Sequence, residues 1–167
     1  MTDINRRNTS EISELSRAVF ENPQVFVDRA ESRFRDQLRG MTEKVAASGS
    51  HIVLLCGPSS SGKTTFAKRL AIQLRVNGLR PVTLGTDDYF VDREHTPLTS
   101  SGEYDFEHLQ AVDVPVLNRD LADLDAGREI QRPTFDFHTG SRAYKGKTLR
   151  LDDDQVVVLE GIHSLNP

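Results

Sequence analysis

Residues Gly57-Pro58-Ser59-Ser60-Ser61-Gly62-Lys63-Thr64 fit G-x-x-x-x-G-K-[ST], the Walker A spacing that wraps a loop around a chain of phosphates. Such a loop must aim consecutive backbone N–H groups inward, and Gly57 and Gly62 remove the side chains that would block them. Ser59, Ser60 and Ser61 are small enough to keep the approach open. A helix opening near Lys63 adds a positive end worth about half a charge, and the Lys63 ammonium can reach the β and γ phosphates. Thr64 offers its hydroxyl to magnesium, while Thr65 suits either a helix start or a further phosphate contact.

Magnesium needs more oxygen than one hydroxyl supplies, and a parallel sheet presents candidates at the C-terminal ends of its strands. Asp87, in GTDDYF, directly follows one apolar strand, and Glu160, in QVVVLEG, terminates another. Both would emerge on the edge that holds the loop, near the metal or the reacting oxygen. Each has a plainer alternative: Asp87 or Asp88 can cap the next segment, and Glu160 can be a solvent-facing strand end.

The elements that must position these groups read as strand, glycine-rich turn, helix, strand: IVLLC, GPSSSGKT, TFAKRLAIQLRVNG and RPVTLGT. Phe66, Leu70 and Leu74, with Ala67 and Ala71 beside them, form the buried stripe of the helix, and Asn77-Gly78 supplies its stop. Solidly apolar strands imply a parallel sheet covered on both faces, and Cys56 within one of them reads as a small buried side chain. Residues 92–102 read as a loop, Val112 to Asp125 as a helix after Pro115, and 130–151 as a hairpin. Asp152-Asp153-Asp154 reads as a solvated turn into the last apolar strand. Ahead of all this, Val27, Ala30, Phe34, Leu38, Met41 and Val45 mark an amphipathic helix, preceded by a shorter one at Ile12, Leu15, Val19 and Phe20 that Asn22-Pro23 would end. Residues 46–50 are linker-like, so residues 1–50 form an N-terminal helical arm that either packs or binds a partner, and 51–167 form the main domain.

With 167 residues the chain has room for one such domain and an arm, since a domain of about 150 residues buries about 70% of its unfolded surface. Its longest apolar runs, at Ile52 to Cys56 and Val156 to Leu159, fall far short of the ~20 residues that span a bilayer. The start, MTDINRRNTSEISELS, lacks the apolar stretch of a secretory signal, so the expected address is cytoplasmic, with no membrane partner. A net charge of -4 offers no global positive field for nucleic acid, and the absence of Trp leaves few stacking platforms for single strands. Any anion must be held locally.

From residue 51 to 167 the chain resembles the uridine kinase and phosphoribulokinase group of P-loop phosphotransferases. The resemblance rests on GPSSSGKTTFAKRL, TDDYF, EYDFEHLQAVD, PTFDFHTGSR and VVVLEGIH in that order. It implies an α/β fold of the P-loop NTPase type, a parallel sheet with helices on both faces, and transfer of the ATP γ-phosphoryl group to a hydroxyl of a nucleoside or related sugar, with ATP and Mg2+ as cofactors. On this resemblance Asp87 matches the base beside that hydroxyl, and Glu160 an acidic residue near magnesium. Asp105 falls where relatives hold ribose hydroxyls, and Tyr89, Phe135, Phe137 and Arg142 fall on segments that line the nucleoside pocket. Phe135 and Phe137 also fit one face of a strand, and Arg142 a surface charge. Gly140 stands where uridine kinases usually carry a pyrimidine-contacting His, which leaves the acceptor base open. Relatives continue with further strands, an arginine-bearing lid and the adenine contacts, so the fold is expected to lack its C-terminal part. The alternative function is a non-catalytic nucleotide-binding module that needs those segments or a partner chain; the arm also offers a route to a homo-oligomer.

Overall fold

Asn22 interrupts the first helical stretch, and its side chain and carbonyl accept from Val25 N and Phe26 N, capping a helix that Pro23 opens. The computed structural model describes residues 13–17 and 19–166, and within them 13–17 and 19–21 are helical while Ile12 lies outside the described residues. The long amphipathic helix, α1, spans Pro23–Ser48. It takes in Ala46, Ala47 and Ser48, expected to be linker, because alanine favours helix and the first left-handed residue is Gly49, at φ +65°. By its contacts the chain divides into two units, one reaching Met41 and the other beginning at Thr42. Among the described residues no helix is long and apolar enough to cross a membrane.

In the second unit β1 (Ile52–Cys56), α2 (Lys63–Val76) and β2 (Arg80–Gly85) form the expected β–α–β unit. Ala67, Leu70, Ala71 and Leu74 make the buried face of α2, which ends at Asn77 with Gly78 left-handed and Leu79 N returning to Leu74 O. β5 (Gln155–Gly161) lies between β1 and β2, parallel to both. As the central strand it has Val156, Val157 and Val158 fully buried. β3 (Ile130–Asp136) and β4 (Ser141–Leu149) form a separate antiparallel pair with a bulge between Gln131 and Pro133, where proline cannot donate to the ladder. α3 (Val114–Asp125) starts two residues later than the expected helix, with Asp113 accepting from Val116 N as its cap and Pro115 in its first turn.

One local expectation fails. Cys56 is exposed, not buried, because β1 is an edge strand whose Leu54 and Cys56 share a pleat face open to solvent; its thiol donates to Ile162 O at 2.9 Å. The Asp152–Asp154 turn is exposed, as expected, and is also paired: the Arg80 guanidinium donates to Asp152 at 2.7 Å and to both oxygens of Asp154 at 2.6 Å. That pairing holds the Asp154 carboxyl below the usual aspartate range and joins the starts of β2 and β5.

The strand register brings three C-terminal ends level: Cys56 lies opposite Gly161, and Gly85 opposite Glu160. A 3-10 turn at Thr86–Tyr89 leaves β2 and passes so close to β5 that a Cβ on Gly161 would sit 1.9 Å from Thr86 Oγ1. Gly161→Ala is therefore expected to destabilise the chain by about 1–3 kcal/mol through overpacking. Urea unfolding measures this, and an unchanged midpoint would contradict the close approach.

Candidate functional site

The loop after β1 folds as a phosphate cradle requires. Ser60 and Gly62 take positive φ, 59° and 87°, turning the chain so that α2 starts at Lys63. Gly62, the residue before α2, makes no side-chain cap, and the first turn holds no acidic residue. The orphan amides of that turn are thus left for an external anion. Lys63 folds back, its Nζ donating to Pro58 O at 2.7 Å. At Gly57 a Cβ would meet Ser61 Oγ at 3.0 Å and the Lys63 stem at 3.3 Å, so the loop closes tightly there.

Beside the loop lies a cavity of about 430 Å³. Its lining includes the polar residues Ser59, Ser60, Lys63, Thr64, Asp87, Glu107 and Glu160 and the aromatic residues Phe90, Phe106 and Phe137, with the Phe90 and Phe106 ring centroids 6.2 and 6.1 Å from that of Phe137. Glu160, at the end of the buried strand, accepts from Thr64 Oγ1 at 3.5 Å through Oε1. Its Oε2 is buried without a hydrogen-bond partner. A buried carboxylate oxygen so placed lacks a donor or cation. Among the described residues no three His, Cys, Asp or Glu side chains cluster to hold a metal by themselves. Magnesium does not ask for such a cage, because it keeps waters and phosphate oxygens; Thr64, Glu160 and Asp87 are oxygen donors of the right kind at the right edge.

Asp87 reaches solvent at the cavity mouth while the protein behind it strips part of its hydration. That partial burial pushes its carboxyl above the usual aspartate range, helped by Asp88 and opposed by Lys63 and the Thr86 hydroxyl.

The sequence-derived residues divide by position. Ser59, Ser60, Lys63, Thr64, Asp87, Glu160 and Phe137 line the cavity, with Gly57, Ser61 and Gly62 completing the loop. Thr65 is exposed on the first turn of α2, and Asp105 is not in the lining but precedes Phe106, which is; its carboxylate accepts from Glu107 N at 3.0 Å. Tyr89 and Phe135 are not in the lining: they are 0% and 6% exposed within the core cluster, with burial and nearby Asp120 holding the Tyr89 proton more tightly than usual. Arg142 pairs with Asp113 at 2.7 Å and borders a separate depression with His95 and Tyr144. Sequence reasoning missed Phe90, Phe106 and Glu107, each a neighbour of a residue it chose in TDDYF or EYDFE. The 3-10 turn ends at Tyr89 and Phe90 is extended, at φ -59° and ψ 145°, so adjacent rings point different ways.

Comparison with known proteins bears on the family and the fold. A model of the Phosphoribulokinase / Uridine kinase family matches residues 52–166. The uridine kinase of Chloroflexus aurantiacus is 35% identical over 111 residues, which cover 66% of this chain and 51% of that protein. The uridine kinase of Staphylococcus epidermidis is 33% identical over 116 residues, 68% of this chain and 53% of that protein. The chain thus spans about half the length of the curated relatives it matches. Among solved structures, a possible uridine kinase from Bacillus stearothermophilus superposes with a TM-score of 0.60 at 27% identity, covering 77% of this chain and 71% of that one. With a family match across most of its length and a fold to agree, the chain belongs to the phosphoribulokinase and uridine kinase family.

Proposed function

We propose that this chain carries the donor and acceptor sites of an ATP-dependent phosphotransferase, moving the γ-phosphoryl group to a hydroxyl of a nucleoside or related sugar. One observation supports this above the others: the phosphate cradle, the carboxylates and the aromatic wall line a single cavity. A water-activating ATPase has no use for three phenylalanine rings beside its phosphates; a kinase acceptor with a planar ring does.

Phosphoryl transfer asks a protein mainly for alignment and charge neutralisation. The loop amides from Ser59 to Thr64 hold the donor's phosphates. Lys63 exchanges the Pro58 carbonyl for phosphate oxygens, a short swing of a flexible stem. Thr64 Oγ1 and the unpaired Oε2 of Glu160 would hold magnesium or its waters, and the ion would supply neutralisation of the phosphate charge. Asp87 accepts the proton of the acceptor hydroxyl as its oxygen bonds to the γ phosphorus and the bond to the β-phosphate oxygen breaks, releasing ADP. An aspartate with a raised pKa is a better base once ionised, provided Lys63 keeps it ionised at neutral pH.

Purified chain with Mg-ATP, screened against uridine, cytidine, other nucleosides and ribulose phosphate, should form ADP only when an acceptor is present. ADP formation without acceptor would support hydrolysis instead, and nucleotide binding with no turnover a non-catalytic module. Lys63→Ala is expected to weaken ATP binding and turnover together. Asp87→Asn should spare ATP binding and cut turnover by about 10² to 10⁴-fold, the usual worth of a general base. Equal loss of ATP affinity in both variants would contradict the assignment.

The Asp87 shift also predicts a pH effect on stability. Because the folded chain binds this proton more tightly than the unfolded chain, the group's favourable contribution is present below the ordinary aspartate value of 3.8 and is lost as pH rises through the raised one. Asp87→Asn, with divalent ions chelated, should raise the melting temperature at pH 7 and lose that advantage near pH 3. A gain of the same size at both pH values would show that ionisation is not its source.

A further inference from the structure

The turn that delivers Phe137 to the cavity is not free-standing. Between β3 and β4, Gly140 N closes the turn on Asp136 O at 2.7 Å, and Asp136 accepts from His138 N at 2.8 Å. The segment after Phe90 then grips that turn from outside. Asp92 Oδ1 accepts from Arg142 N at 3.0 Å, Arg93 N donates to Gly140 O at 2.7 Å, and the Arg93 guanidinium donates through Nη2 to Phe137 O. The guanidinium also lies 6.0 Å from the centre of the Tyr104 ring.

Gly140 is what lets Arg93 in. It has φ +71°, and a Cβ there would stand 2.6 Å from Arg93 Nε and 2.7 Å from Cζ. No side chain fits at 140 while Arg93 keeps its place, so the turn presents nothing at that position to read an acceptor. The nearest recognition element the turn offers is Phe137 itself, 55% exposed and ringed by Phe90, Phe106 and Phe135 with centroids 5.1–6.2 Å away.

We propose that Arg93 is a positioning residue for the acceptor: it clamps the β3–β4 turn so that Phe137 forms one wall of the cavity. This rests on the reading of that cavity as the acceptor site. Arg93 touches neither the phosphate loop nor Asp87, so its effect falls on acceptor affinity and not on nucleotide binding.

The chain contains no Trp, so Phe137→Trp creates a single fluorescent reporter on the turn. In that reporter chain, Arg93→Ala should raise collisional quenching of the indole and lower its anisotropy. With Phe137 intact, Arg93→Ala should raise the acceptor KM by about tenfold to a hundredfold, the scale of a misplaced positioning group, and leave the ATP dissociation constant unchanged. Arg93→Lys, which keeps one cationic donor, should recover part of both effects and serves if the alanine variant fails to fold by circular dichroism. Unchanged quenching overturns the clamp, and raised quenching with an unchanged acceptor KM overturns its role in acceptor binding. If the parent chain shows no acceptor-dependent turnover, the functional reading fails by itself. The quenching comparison still decides the clamp: a rise upholds it and no change overturns it.

Discussion

β5 sits between two parallel neighbours, and its register with them sets where every chemically active group lies. Pairing Cys56 with Gly161 and Gly85 with Glu160 makes the phosphate loop, the Thr86–Tyr89 turn and the Glu160 carboxylate leave the sheet at one level. A slip of one residue along β5 would turn Glu160 to the opposite face and carry its carboxylate away from Thr64. The register is strongly specified because Val156, Val157, Val158 and Leu159 are all buried, so any slip would bring a charged or polar neighbour into the core. Burial of the apolar stretch Val156–Leu159 thus fixes the geometry of the strand ends that carry the chemistry.

At that edge the fold leaves polar groups poorly paired. The first-turn amides of α2 have no capping side chain, Lys63 has only a loop carbonyl, and Glu160 Oε2 is buried without a partner. Most buried polar groups in folded proteins are satisfied, so the unpartnered Oε2 of Glu160, a residue of the cavity lining, and the uncapped first turn of α2 are the groups there with capacity left for a ligand. The close approach at Gly161 keeps the Thr86 turn against β5 and thereby holds Asp87 near the loop.

Much of this was legible in the sequence, and the parts that were not share a cause. Backbone-determined features read well: the glycine spacing of the loop, the α2 stripe and the Asn77-Gly78 stop depend on local geometry that one residue type dictates. Side-chain direction within an aromatic pair did not, since Tyr89 and Phe90, or Phe135 and Phe137, are equally apolar and only the tertiary fold decides which faces the cavity. Arg142 is indistinguishable from a surface charge in the sequence because its partner, Asp113, is 29 residues away. Cys56 was misplaced for a related reason: an apolar run looks the same whether its strand is central or at an edge. Gly140 stands out in the sequence, but the Arg93 side chain packed over it lies nearly fifty positions earlier.

The central claim is that the amides from Ser59 to Thr64 hold the phosphates of a nucleotide. An amide-resolved 15N NMR titration of the 167-residue chain with ATP and Mg2+ tests it directly. The account predicts large, saturable shifts at Ser59, Ser60, Ser61, Gly62, Lys63 and Thr64, with smaller ones at Asp87 and Glu160 that depend on Mg2+. Loop amides that stay in place at saturating nucleotide, or that respond no more than those of the β3–β4 pair, would contradict it.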